Sequence, residues 1–197
     1  MTEKDKMLAG VMYNSEDEEL VAARREAKLK CRKFNTLPPD DEEGRVRLLK
    51  EILGKTGEQI WIEQPFLCDY GTFIEVGENF YANYNLVVLD CAKVTIGDNV
   101  FIAPNVGIYT AAHPILASQR NIRGCEYAAP ITIGSNVWIG GGVQICPGVT
   151  IGDNTVIGAG SVVTKDIPSD VVAAGVPCKV IRNITLDDMM PMGEGEL

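Results

Sequence analysis

Residues 131–164 read ITIGSNVWIGGGVQICPGVTIGDNTVIGAGSVVT, and an aliphatic side chain returns at every sixth position: Ile133, Ile139, Ile145, Ile151, Ile157 and Val163. A helix repeats every 3.6 residues and a strand every two, so neither alone requires this period. A second series runs four positions behind, through Val137, Val143, Val149, Thr155 and Ser161, and Gly134, Gly140, Gly152 and Gly158 follow four of the large residues. ITIGSNVWIG (131–140) also recurs as VTIGDNTVIG (149–158), an eighteen-residue echo. A hexapeptide period is the mark of a parallel β-helix. Three hexapeptides make one coil of a triangular prism, and stacking coils at about 4.8 Å lines equivalent residues into ladders. The large ladder is expected to point inward, into a core that admits one aliphatic side chain per face. The glycines, with Asp98, Asn99, Ser135, Asn136, Asp153 and Asn154, suit corners that need a positive φ or a local side-chain hydrogen bond. The open strand edges at the two ends of such a rod need caps.

Working outward, Ile74-Glu75-Val76-Gly77 and Val94-Thr95-Ile96-Gly97 repeat the pattern of Ile131-Thr132-Ile133-Gly134, with a two-residue shift between Cys91 and Thr95. The β-helix is therefore assigned to residues 60–185. Its period fails after Ile108 and resumes at Ile131, which marks residues 109–130 as an excursion loop, a feature that is commonly functional or mobile. Residues 1–59 lack the period and read as a helical cap region. Ser15 and Glu18 have capping-box spacing ahead of Leu20, Ala23, Ala27, Cys31 and Phe34. Pro38 and Pro39 interrupt, and Val46, Leu49, Ile52 and Leu53 line a second helix. Residues 186–197 form a C-terminal tail expected to be partly disordered.

With 46% hydrophobic residues and 20 glycines in 197 residues, the chain is not a disordered one. Its net charge is -9, and beyond residue 60 only Lys93, Arg120, Arg123, Lys165, Lys179 and Arg182 are basic against 14 acids. That balance speaks against a nucleic-acid footprint. The six cysteines show no metal-ligand spacing, and no apolar run suits a signal peptide or a membrane span. Reduced thiols and a cytoplasmic location are expected.

His113, the single histidine, lies in the excursion. An imidazole can take up and release a proton near neutral pH. One imidazole per chain cannot make a three-histidine zinc site within that chain.

The stretches NFYANYN (79–85), TIGDNVFIAPNV (95–106), HP (113–114), ITIGSNVWIGGGV (131–143), PGVTIGDNTVIGAGSVVTKDIP (147–168) and VVAAGVPCKVIR (171–182) resemble the maltose and galactoside O-acetyltransferases. The opening EKDKMLAGVMY resembles the helical domain at the start of the maltose enzymes. The resemblance implies a mainly β fold, a left-handed parallel β-helix of hexapeptide repeats with an N-terminal helical cap. It also implies a homotrimer with active sites between subunits, and acetyl-CoA as co-substrate without a required metal. On the same basis His113 is the general base that activates a sugar hydroxyl for direct attack on the thioester, and Asn83 donates to the oxyanion. Asp69, Asn83, Asp90 and Cys91 fall at acceptor-binding positions. Asp69 stands where galactoside enzymes carry a small hydroxyl residue, Cys91 where they carry an acid, and Ser15 where they carry another acid, which favours the maltose branch. Gly141, Ala159, Thr164, Lys165, Lys179 and Arg182 match CoA-binding positions. Trp138 either flanks that pocket or packs in a corner or a subunit contact. Two alternatives remain open: the same chemistry on an amino acid, antibiotic or lipid-oligosaccharide, and a non-catalytic rod.

Overall fold

The computed structural model describes residues 1–191. Three sheets of short parallel strands wind into a left-handed β-helix, and the chain visits them in fixed order. The first face carries Ile60–Ile62, Phe80–Ala82, Phe101–Ile102, Trp138–Ile139, Val156–Ile157 and Val171–Ala174. The second carries Phe66–Cys68, Leu86–Leu89, Gly107–Tyr109, Gln144–Ile145 and Val162–Val163; the third carries Ile74–Val76, Val94–Ile96, Ile131–Ile133 and Thr150–Ile151. The register aligns the repeats, with Ile133 on Ile96 and Ile151, and Ile139 on Ile102 and Ile157.

Both six-residue series point inward. Ile139, Ile145 and Ile151 are fully buried, and so are Val137, Val143, Thr155 and Ser161. The core thus takes a large and a small residue per face, not a single aliphatic as the repeat suggested. Thr155 and Ser161 are tolerated there because each hydroxyl donates to a main-chain carbonyl, of Pro168 and Gly158 respectively.

The three corners differ. Between the third and first faces, Asn79, Asn99, Asn136 and Asn154 take φ of 53 to 58°. This left-handed conformation suits asparagine, and it stacks their amides into a ladder that ends on Asp170, with steps of 3.0, 3.1, 2.9 and 2.8 Å. The repeat glycines serve a different purpose from the one expected. Gly134, Gly140, Gly152 and Gly158 are not at positive φ; Gly140 is required because a Cβ there would sit 2.6 Å from the Ala159 nitrogen of the next coil. Between the first and second faces lies a glycine corner, made by Asn83–Asn85, Gly140–Gly142 and Gly158–Gly160.

Between the second and third faces lies an irregular corner, where the insertions of successive coils stack: residues 69–73, 90–93 and 109–130. The last of these is folded. Ala111–Ala112 pairs antiparallel with Cys125–Ala128, which also pairs with Tyr13–Asn14 from the start of the chain.

The cap consists of α1 (Glu3–Leu8), α2 (Glu18–Asn35) and α3 (Glu42–Ile52). Cys31, Phe34, Leu48, Leu49 and Ile52 continue the rod's core and close its first coil. Asp17, not Ser15, caps α2 by accepting from the Glu19 amide at 3.1 Å. Ser15 instead donates its amide to Gly124 O at 2.8 Å and so fastens the excursion. A second small core of Met7, Tyr13, Leu20, Tyr70, Cys91, Ala92 and Ala128 packs the N-terminal segment against the irregular corner. All six cysteines are free thiols. No helix among the described residues is long and apolar enough to cross a membrane. Of the tail expected to be partly disordered, Leu186–Asp188 forms a 3-10 turn, and residues 192–197 lie outside the described residues.

Candidate active site

The irregular corner gathers the polar groups. His113 is exposed and follows Ala111–Ala112, and its Nδ1 lies 3.2 Å from the carbonyl oxygen of Cys125 on the returning strand. A carbonyl can only accept, so in this contact Nδ1 carries the ring hydrogen and Nε2 keeps a lone pair able to take a proton. Two coils away, Asp69 is half-buried, and Cys91 of the intervening coil donates from Sγ to its Oδ2 at 3.5 Å. Burial pushes the Asp69 carboxyl above its ordinary range, against the lowering effect of the Cys91 contact and of the Arg24 and Lys28 charges. Burial also pushes the Cys91 thiol up to about 12, which keeps it protonated as a donor.

Asp90, by contrast, is withdrawn from any ligand. Its side chain is fully buried, and its carboxylate accepts the main-chain amides of Asp69 (3.1 Å), Tyr70 (2.8 Å) and Phe73 (3.3 Å). It shapes the inserted corner of the preceding coil, so an acceptor hydroxyl has no route to it. Burial pushes this carboxyl up to about 7.

Two side chains here escape sequence reasoning. Glu126 accepts from the Tyr13 hydroxyl at 2.9 Å, and Arg24 donates to the Tyr70 hydroxyl at 2.7 Å. Both bonds tie the N-terminal segment to the corner that carries His113 and Asp69. Cys125–Ala128 shows no alternation, since its two middle residues are both half-buried between buried ends, and its partner Tyr13–Asn14 is more than a hundred residues away.

Asn83 is elsewhere, on the glycine corner. Its Oδ1 accepts the Tyr84 amide at 2.7 Å, which leaves Nδ2 as the donor of the side chain. Gly141 and Ala159 lie above it along the same edge, where a Cβ on Gly141 would meet only Pro104 O at 3.4 Å. Lys179 pairs with Ala174 at the end of the first face, and Arg182 pairs with Val172. Thr164 and Lys165 are exposed on the irregular corner. Arg182 aside, which lies on the first face, the residues read as one site therefore occupy two different edges of the second face. A four-residue strand rising about 3.3 Å per residue already separates those edges by roughly 13 Å. Trp138 stands on neither corner: it is 55% exposed on the flat of the first face, beside Phe101 and Val156.

Comparison with known proteins gives this arrangement its class. Residues 6–57 match the maltose acetyltransferase hexapeptide capping motif, and residues 130–165 match the bacterial transferase hexapeptide of six repeats. The galactoside O-acetyltransferase of Escherichia coli K12 is 50% identical over 93% of this chain and 89% of its own. The crystal structure of a maltose O-acetyltransferase from Clostridium difficile 630 superposes with a TM-score of 0.92 at 57% identity, covering 94% of this chain and 98% of that one. A galactoside acetyltransferase solved in complex with coenzyme A gives 0.92 at 50% identity, covering 95% and 94%. The chain belongs to the maltose and galactoside O-acetyltransferase family of hexapeptide-repeat proteins and is an acetyltransferase. The alternative of a non-catalytic rod falls with that membership.

Proposed function

We propose that the protein transfers acetyl from acetyl-CoA to a hydroxyl of maltose, glucose or a related sugar, at a site assembled between two copies of the chain. The observation that carries this reading is the division of the candidate residues between two edges of one face. His113, Asp69, Thr164 and Lys165 lie on the irregular corner, and Asn83, Gly141 and Ala159 on the glycine corner. A closed ring of three copies that sets the glycine corner of one against the irregular corner of the next completes three identical sites. Such packing lays the first face of one copy on the third face of its neighbour. It covers the outward ladder of Trp61, Tyr81, Phe101, Trp138, Val156 and Val172, whose Phe101 and Trp138 are 45 and 55% exposed in the single chain.

In this site the Nε2 of His113 removes the proton from the acceptor hydroxyl as its oxygen attacks the thioester carbonyl. The Nδ2 of Asn83 donates to the oxygen on which negative charge develops, and the imidazolium returns its proton to the departing sulfur. Asp69, with its raised carboxyl, and Cys91 behind it hold an acceptor hydroxyl. Glu126 lines the same mouth. The low wall at Gly141 and Ala159 admits the pantetheine arm, and Lys165, Lys179 and Arg182 supply positive charge for the nucleotide phosphates in an otherwise acidic chain. The charge balance and free thiols favour a cytoplasmic enzyme.

Thiol release from acetyl-CoA with maltose, glucose, galactosides, amino acids and aminoglycosides, blanked with His113→Ala, tests the reading. Turnover with glucosyl sugars well above the other acceptors supports it. Preference for a non-sugar acceptor overturns the substrate class, and turnover that survives His113→Ala overturns the mechanism.

A further inference from the structure

Beyond the last coil the chain folds back on itself. Lys179–Asn183 runs antiparallel to Val171–Ala174, Ile184 donates its amide to Asp170 O at 2.8 Å, and Leu186–Asp188 makes a 3-10 turn. Thr185 and Asp188 cap this turn reciprocally, with the Thr185 amide donating to Asp188 Oδ2 at 2.9 Å. The turn sets Asp188 on Arg182 in a two-point fork: Nη1 donates to Oδ2 at 2.7 Å and Nη2 to Oδ1 at 2.5 Å. Nη1 also donates to Asn183 O at 3.1 Å. The end of the guanidinium, the part that matches a phosphate as well as a carboxylate, is thus filled by an acid of the same chain.

We propose that the Thr185–Asp188 turn is an autoinhibitory strap on the CoA groove, whose carboxylate holds the Arg182 fork and yields it when a CoA phosphate binds. This rests on the reading of Arg182 as a CoA-binding residue. The Arg182 contact holds the Asp188 carboxyl at about 2, so the strap stays charged at any working pH and is released by competition, not by protonation. The two side chains are 52 and 31% exposed, which makes this a surface pair that a tighter anion can displace. An exposed pair of this kind changes an equilibrium by about two- to fivefold. The strap therefore attenuates cofactor binding without blocking it.

Calorimetric titration of CoA into the full-length protein and its Asp188→Asn, Arg182→Ala and doubly substituted forms tests the idea. Asp188→Asn is expected to bind CoA about two- to fivefold more tightly and Arg182→Ala more weakly. The double variant should match Arg182→Ala, because the competitor then has nothing to hold. Weaker binding by Arg182→Ala with no change in Asp188→Asn overturns the strap and leaves Arg182 as a phosphate ligand. Unchanged binding by Arg182→Ala removes Arg182 from the CoA site and overturns the strap with it. In the unsubstituted protein, the Asp188 amide, bonded to Thr185 O at 3.0 Å, should exchange faster once CoA is saturating; unaltered protection contradicts displacement.

Discussion

The Nδ1 of His113 and the main-chain carbonyl of Cys125 face each other at 3.2 Å across the base of the excursion. The acceptor is a backbone atom on a strand held on both sides, by Asn14 opposite Cys125 and by Ala112 opposite Tyr127. The ring's orientation is therefore set by a strand anchored on one side by a segment more than a hundred residues away and on the other by the residues just before the histidine. An exposed histidine on an unanchored loop would lack that constraint.

Because the chain has one histidine, its tautomer can be observed without assignment. Nitrogen-15 chemical shifts of the labelled imidazole in its neutral form should show the hydrogen on Nδ1. A dominant Nε2–H form would contradict the base role. Substitution of His113 by Ala should lower kcat by about 100- to 10,000-fold, with CoA affinity unchanged by calorimetry.

Asp90 should behave as a structural acid. Its replacement by Ala strands three buried amides and is expected to cost about 3 kcal/mol in chemical denaturation. The raised carboxyl also fixes the sign of a pH effect. The folded state holds this proton up to about 7, while an unfolded aspartate releases it near about 3.9. Asp90 thus contributes stability that is complete below the unfolded value and is lost as pH rises through about 7. Asp90→Asn, which does not titrate, should flatten the decline of the unfolding free energy between these limits. Equal slopes in the two proteins would contradict the assignment.

Two glycines of one corner should differ in their tolerance of a methyl group. At Gly140 the added Cβ would lie 2.6 Å from the Ala159 nitrogen and 2.8 Å from Ile157 O, main-chain atoms that cannot turn aside. Gly140→Ala is expected to cost about 2 to 3 kcal/mol. At Gly160 no atom lies within 4 Å, although φ is +71°. Gly160→Ala should cost only about 1 kcal/mol of backbone strain. Melting temperatures of the two variants decide the order.

The rod was legible because hexapeptide spacing has one physical solution, and the alignment of Ile133 with Ile96 and Ile151 follows from it. The excursion was legible as an interruption, but its fold was not, since strand Cys125–Ala128 is stabilised by Tyr13–Asn14 and not by any local pattern. Ser15 was misread as a cap because Asp17, two residues on, competes for the same helix terminus and reaches the Glu19 amide. Asp90 looked like a ligand beside Cys91 because its partners are main-chain amides some twenty residues earlier, which no side-chain pattern reveals. The division of His113 and Asn83 between two corners appears only once the order of the faces is known.

That division is tested most directly by mixing defects. His113→Ala and Asn83→Ala proteins, each nearly inactive alone, are co-expressed in equal amounts and assayed for acetyl transfer after purification. If each site takes His113 from one copy and Asn83 from its neighbour in a ring of three, about one quarter of the sites regain both groups, and activity should recover to about that fraction of the unsubstituted enzyme. Activity no higher than the average of the two separate variants would show that no site is shared between copies in this way.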